Sequence, residues 1–95
     1  MVIYSKGDVF NAYGGSLPDS YGIATEQKQT GIRTGIRKIN QGTDSHLAWT
    51  AAARQSLVPG EVEPSIATKA AMSAMREIVA PRMQEFGAAG QAGPR

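Results

Sequence analysis

The polar loop Asn40-Gln41-Gly42-Thr43-Asp44 is the part of this sequence whose residue types and spacing are best suited to chemistry. It follows a short apolar segment that ends at Ile39 and precedes a helical pattern that begins near Asp44. In α/β barrels the loop between a strand and the next helix is where ligands bind. This loop is therefore the candidate ligand site.

The single histidine, His46, does not make a metal site by itself. Asp44 and His46 are two residues apart in a predicted helix, so they face different directions, and zinc needs three or four ligands. The absence of cysteine removes thiolate ligands and disulfides and fits a cytoplasmic location. A solvated surface histidine is the favoured interpretation, and no metal ligand is predicted.

Two other polar features are weaker candidates. Gly14-Gly15-Ser16 is compatible either with a phosphate-binding turn or with a plain turn, and the plain turn is favoured. Four acidic residues show no pairing that would indicate acid–base catalysis. They are Asp8, Asp19, Glu61 and Glu63.

Length and composition limit what the chain can be. Its 95 residues suffice for one small, marginally stable domain, and eleven glycines with five prolines leave room for few long regular elements. The net charge is only +2, and the cations Arg33, Arg37 and Lys38 have no interleaved aromatic residues, so nucleic-acid binding is not expected. No apolar run approaches the ~20 residues that span a bilayer, and the start, MVIYSKGD, lacks the apolar region of a secretion signal.

The pattern predicts a mostly helical chain. Helices are expected near residues 25–34, 44–57 and 65–86, and at most short strands near 2–4 and 37–40, which could pair as a parallel edge. Residues 11–24 are predicted to be a loop, and residues 88–95 a disordered tail.

Specific residues are expected to begin, end or interrupt these helices. Asp44 is the predicted N-cap of the second helix, and Gly35 and Gly87 are predicted C-terminal caps. Pro81 is expected to kink or split the last helix.

Two apolar stripes at helical spacing are predicted to be packing faces. The first comprises Leu47, Ala51, Arg54 and Val58. The second comprises Met72, Met75, Val79, Met83 and Phe86. The methionines favour packing over cofactor binding, because methionine side chains adapt to irregular surfaces.

The chain resembles the C-terminal part of class II, zinc-dependent fructose-bisphosphate aldolases, in the branch found in Calvin-cycle and related bacterial enzymes. The resemblance covers about residues 11–92. It is carried by Asn11-Ala12-Tyr13-Gly14-Gly15, Tyr21-Gly22-Ile23, Gly31-Ile32-Arg33, Gly35-Ile36-Arg37-Lys38-Ile39-Asn40, Thr43-Asp44, Leu47-Ala48, Thr50-Ala51-Ala52, Arg54, Lys69, Ala71-Met72, Ala74-Met75-Arg76 and Phe86-Gly87-Ala88-Ala89-Gly90-Gln91-Ala92.

The resemblance implies an α/β fold, in which residues 1–95 are a C-terminal fragment of a TIM (β/α)8 barrel: the last βα units and the C-terminal helix. It implies a lyase of glycolysis and carbohydrate metabolism that cleaves fructose 1,6-bisphosphate reversibly into dihydroxyacetone phosphate and glyceraldehyde 3-phosphate, with zinc as Lewis acid. The implied substrate-binding residues are Asn40, Gln41, Gly42 and Thr43. Asn40 would bond the reacting end of the substrate, and Thr43 with nearby amides would hold its phosphate.

Departures from the family pattern count against activity of this chain alone. Gly42 replaces an aspartate, Gln41 replaces an aliphatic residue, and Glu63-Pro64-Ser65 replaces Asp-Pro-Arg, whose arginine reaches a substrate phosphate. The family's zinc-ligand histidines and catalytic aspartate find no counterpart, so no catalytic residue and no zinc binding are expected here. The alternative interpretation is a non-catalytic helical module that associates with itself, a full-length homologue or other barrel segments through exposed apolar faces and strand edges.

Overall fold

Helices dominate the structure, a computed structural model that describes residues 2–4, 6–19 and 21–93. Strands β1 (Val2–Ile3) and β2 (Tyr21–Gly22) form a small antiparallel sheet, with Val2 opposite Gly22 and Ile3 opposite Tyr21. The helices of the described residues are α1 (Lys6–Ala12), α2 (Thr25–Arg33), α3 (Thr43–Leu57) and α4 (Pro64–Glu85). The described residues do not form a barrel.

Local signals explain the helix ends. The helix α4 begins with Pro64, which needs no amide partner in the first turn, and the Glu63 carboxylate accepts a hydrogen bond from the Ser65 amide at 3.2 Å. Gly35 follows α2 with a φ of 126°, and Gly87 follows α4 with a φ of 74°. These positive angles favour glycine, which confirms both predicted C-terminal caps.

Pro81 was expected to kink or split α4. The helix is not split at this residue. Proline cannot donate to the carbonyl four residues earlier, which belongs to Glu77. Glu77 lies on the exposed side of the helix, where water can satisfy that carbonyl. The helix therefore continues through Pro81 to Glu85.

Small side chains form the core between α3 and α4, which share the most extensive interface of the described chain. The helix α1 packs on the other side of α3. Alanine at the interface allows the two helix backbones to approach closely. The buried apolar residues are Leu47, Ala48, Ala51, Ala67 and Ala71.

The predicted methionine stripe is wrong in part. Met72 is 63% exposed and Met83 is 48% exposed, whereas Ala67 and Ala71 on the same helix are buried. Close packing against alanines of α3 turns the small-residue face of α4 inward, and the larger side chains at Met72 and Met83 remain outside. The first stripe is confirmed at Leu47 and Ala51.

At the end of the first stripe, Val58 is 62% exposed, so the predicted packing face does not extend to it. Val58 lies just beyond α3, where the chain turns toward α4.

Three local predictions also need correction. Residues 37–40 are irregular rather than a strand, and β1 pairs antiparallel with β2 instead of forming a parallel edge with them. A strand needs a neighbour for its backbone groups, and the described residues supply none to this segment. The predicted loop 11–24 contains β2 and the end of α1.

Of the predicted tail 88–95, residues 94 and 95 lie outside the described residues.

The chain is flat. Its principal extents are 49 × 37 × 14 Å, so its thickness is less than half of either other dimension. The radius of gyration is 15.7 Å, compared with roughly 13 Å for a compact domain of this length. The chain is therefore less compact than an ordinary domain, in which apolar faces are buried between two packed layers.

Candidate functional site

The candidate loop lines one open cavity of about 470 Å³ at the start of α3. All four predicted site residues contribute to it, so the structure brings them together. The lining comprises Tyr4, Lys28, Ile39, Asn40, Gln41, Gly42, Thr43 and Asp44. Asn40 and Thr43 are exposed, and Gln41 and Gly42 are half-buried.

Gly42, rather than Asp44, is the N-cap of α3. The Gly42 carbonyl accepts the first helical hydrogen bond from the His46 amide at 2.8 Å, and Gly42 itself has no side chain that could cap the helix. The first amides of a helix have no partner within the helix, and they carry its positive dipole end. The cavity therefore includes a helix N-terminus that favours an anionic group.

Asp44 lies inside the first turn and is buried, which makes the predicted N-cap role wrong. Its Oδ1 accepts a hydrogen bond from the adjacent Ser45 amide at 3.0 Å, and its Oδ2 lies 3.3 Å from Nη2 of Arg82. Arg82 also donates through Nη1 to both carboxylate oxygens of Glu85 at 3.0 Å. The negative charge of Asp44 is thus paired with a cation from α4.

The side chain of Gln41 makes hydrogen bonds inside the loop and the first turn of α3. Its Nε2 donates to Asp44 Oδ1 at 2.6 Å and to Ser45 Oγ at 2.6 Å. Both amide protons are therefore used inside the protein, which ties the middle of the loop to the first turn of α3.

Sequence reasoning missed two residues of the cavity, Tyr4 and Lys28. They lie far from the loop in sequence, and no local motif marks either of them. A Cβ at Gly22 would lie 2.9 Å from Cε1 of Tyr4, so only glycine at this point of β2 leaves room for that ring. The Lys28 ammonium lies 5.6 Å from the centre of the Phe86 ring, within the range of a cation–π contact. This contact holds α2 next to the end of α4.

The side-chain charges around the cavity balance formally. Lys28 and Arg82 are the cations, and Asp44 and Glu85, which share Arg82, are the anions. The N-terminus of α3 adds the positive end of its dipole, so the site suits a small phosphorylated or carboxylated ligand.

The residues present do not fit a zinc ion. Zinc requires three or four clustered donors, and the described part of the chain holds no group of three or more His, Cys, Asp or Glu side chains able to bind a metal. His46 is exposed, as predicted.

Gly14 and Gly15 form a plain turn at the end of α1. Their amides donate to the carbonyls of Asn11 at 3.3 Å and Phe10 at 3.0 Å, so they are not free for a phosphate. This confirms the favoured interpretation. The turn packs against α3, because the Arg54 guanidinium lies 4.3 Å from the centre of the Phe10 ring.

No helix within residues 2–4, 6–19 and 21–93 is both long enough and apolar enough to cross a bilayer.

Comparison with known proteins identifies the relatives of this chain. Residues 14–91 match the family model described as class II fructose-bisphosphate aldolase. The chain is 42% identical over 86 residues to a fructose-bisphosphate aldolase of Nostoc commune, with 88% of this chain and 24% of that protein covered. It is 41% identical over 88 residues to fructose-bisphosphate aldolase 2 of Cereibacter sphaeroides, with 90% and 25% covered.

The chain thus spans about a quarter of the length of the curated relatives it matches. The family match extends over most of the sequence and includes the whole cavity-lining loop, Asn40 to Thr43. The resemblance found in the sequence is confirmed, and the chain belongs to the class II fructose-bisphosphate aldolase family.

Proposed function

We propose that this chain provides the phosphate-holding segment of a class II fructose-bisphosphate aldolase, corresponding to the C-terminal part of the barrel. The ligand is a sugar phosphate, either fructose 1,6-bisphosphate or its product dihydroxyacetone phosphate. The observation that carries the proposal is that Asn40, Gln41, Gly42 and Thr43 line one cavity at the N-terminus of α3. Membership of the family supplies the substrate class.

Each part of the cavity has a role that its chemistry allows. The Thr43 hydroxyl and the amides of Thr43 and Asp44 bind phosphate oxygens, since the start of a helix supplies free donors and a positive dipole end. The Ser45 amide is not part of this set, because it is already bonded to the Asp44 carboxylate. Lys28 adds a cation. The exposed Asn40 carboxamide both donates and accepts, so it can bond the carbonyl and hydroxyl groups of the sugar.

Aldol cleavage is not proposed for the chain alone. In this family zinc polarises the substrate ketone, but the donor set of the described residues does not fit that ion. Gly42 also lacks the carboxylate that the family carries in this loop, and Ser65 lacks the charge of the family's arginine. The chain is therefore proposed to bind sugar phosphate without turning it over.

A second proposed function is association, either with another copy, with a full-length homologue or with other barrel segments. The supporting observation is the flat shape, 14 Å in its shortest extent, together with large apolar side chains that remain exposed. On and beside α3 and α4 these include Leu57, Val58, Ile66, Met72 and Met83. Such surface is normally covered in a stable domain.

Calorimetric titration with dihydroxyacetone phosphate tests the binding proposal. The wild-type chain should bind it, and unphosphorylated dihydroxyacetone should bind much more weakly. Thr43→Val should weaken binding by roughly tenfold to a hundredfold, since a hydrogen bond to a charged group contributes about 1.5–3 kcal/mol. Thr68→Val, an exposed threonine of α4 outside the cavity, is the matched control and should bind as wild type. Equal affinity in both variants would contradict the proposed site.

A further inference from the structure

Arg82 connects three separate parts of the structure. It lies near the end of α4, yet its Nη2 is 3.3 Å from Asp44 Oδ2 at the start of α3, a residue 38 positions away. Its Nη1 donates to both carboxylate oxygens of Glu85 at 3.0 Å. The Glu85 carboxylate also accepts a hydrogen bond from Oγ1 of Thr25 in α2 at 3.5 Å.

The carboxylate of Asp44 links Arg82 to the candidate site, because it contacts both Arg82 and Gln41. One of its oxygens faces Arg82, and the other accepts from the Gln41 amide at 2.6 Å. Asp44 is only 7% exposed, so water is a poor substitute for a lost partner. Because Gln41 lies between Asn40 and Gly42, the orientation of its side chain constrains the backbone of the loop.

We propose that Arg82 is a positioning residue for the sugar-phosphate loop: it holds the Asp44 carboxylate, which holds the Gln41 amide and so fixes residues 40–43. The affinity part of this inference rests on the proposed function, whereas the effect on Gln41 does not. The Gln41 position is aliphatic in the resembling enzymes, so the link from Asp44 into the loop is a feature of this chain's own sequence.

Arginine is suited to this role because its planar fork can engage two carboxylates at once. Lysine carries the same charge as a single point and cannot reproduce both contacts. Arg82→Lys should therefore recover the connection only in part, while Arg82→Met removes it. Arg76→Met is the matched control, since Arg76 is an exposed arginine of the same helix.

Nuclear magnetic resonance of the labelled chain provides a readout that general stability does not move. In folded Arg82→Met, the Asp44 carboxylate is no longer held by a cation and can turn toward water, which removes it from Gln41. The side-chain amide protons of Gln41 should then shift toward free-glutamine positions and exchange with water about tenfold faster or more, as expected for loss of one charge-assisted hydrogen bond. Arg82→Lys should lie between the two, and Arg76→Met should match wild type. Unchanged Gln41 signals in folded Arg82→Met would overturn the proposal.

Two further variants keep the test decisive. If Arg82→Met does not fold, Asp44→Asn is read instead. Its single carboxamide oxygen can accept from Arg82 only when its NH2 group, which cannot accept, faces Gln41, so this change should also free Gln41. Gln41→Met should weaken dihydroxyacetone phosphate binding while leaving Arg82 intact.

Titration of each variant with dihydroxyacetone phosphate separates this inference from the proposed function. If Arg82→Met alters the Gln41 signals but the wild-type chain binds no dihydroxyacetone phosphate, the proposed function is rejected and the positioning role is kept. Ligand binding by wild type that Arg82→Met leaves unchanged would reject the positioning role and keep the function.

Discussion

Replacement of Ala71 by leucine should destabilise the chain strongly, because Ala71 is the most deeply buried side chain of α4. It is 0% exposed, and the buried positions of the facing helix α3 include Ala48 at 1% and Ala51 at 2%. These alanines allow α3 and α4 to lie close together, and that contact supports the first turn of α3 at the candidate site.

The magnitude follows from the volume added. Leucine brings three more carbon atoms into a position with no exposed surface, so the helices must separate or the side chain must take a strained rotamer. Such overpacking costs about 1–3 kcal/mol. For a domain of this size each kcal/mol lowers the melting temperature by about 4–8 °C, so a cost of about 2 kcal/mol predicts a fall of about 8–16 °C.

Thermal melts followed by circular dichroism at 222 nm, an ordinary wavelength for helix, measure this shift. The control is Ala80→Leu, which makes the same change at an exposed position of α4 and should alter the melting temperature little. Similar melting temperatures for Ala71→Leu and wild type would refute the close α3–α4 interface. A comparable fall in both variants would attribute the loss to the helix itself and not to packing.

Three other outcomes are expected. Metal-free chain incubated with zinc should bind no stoichiometric ion and give no cleavage of fructose 1,6-bisphosphate in a coupled assay; turnover above a mock preparation would contradict this. Because large apolar side chains remain exposed on a flat molecule, sedimentation should show self-association and melting temperatures should rise with protein concentration, whereas a strict monomer with a concentration-independent melt would show a self-sufficient core. Gly42→Asp should fold and change the melting temperature by only about 1–3 °C, since Gly and Asp differ at an N-cap by a few tenths of a kcal/mol. A Cβ at this position would lie 3.7 Å from His46 Cε1, an ordinary contact, so unfolding of the variant would show that the loop differs from this structure.

Helices α2, α3 and α4 were predictable because their signals are local, whereas α1 (Lys6–Ala12) was not predicted. The glycines after α2 and α4 act on residues within one turn, and sequence reasoning placed these three helices within about two residues of their observed ends. The strand near 37–40 was not predictable in the same way. Its pattern is apolar and extended, but strand formation depends on a partner elsewhere in the chain.

The candidate site shows the same division. The loop residues Asn40 to Thr43 are contiguous, so a motif can indicate them. Lys28, Tyr4 and Arg82 reach the loop or its supports only through the packing of α2, β1 and α4, which no local spacing records. The role of Asp44 was misread for a related reason: its type suits an N-cap, but a cation from α4 draws its carboxylate inward.

Residue-resolved titration with dihydroxyacetone phosphate shows whether the loop itself binds the ligand. Saturable shifts are expected for the backbone amides of Asn40 to Thr43 and of the next residues of α3, accompanied by a response of Lys28. Dihydroxyacetone without the phosphate should produce little change. Shifts confined to other surfaces, or no shifts at millimolar ligand while the chain is folded, would contradict the claim that this loop holds a sugar phosphate.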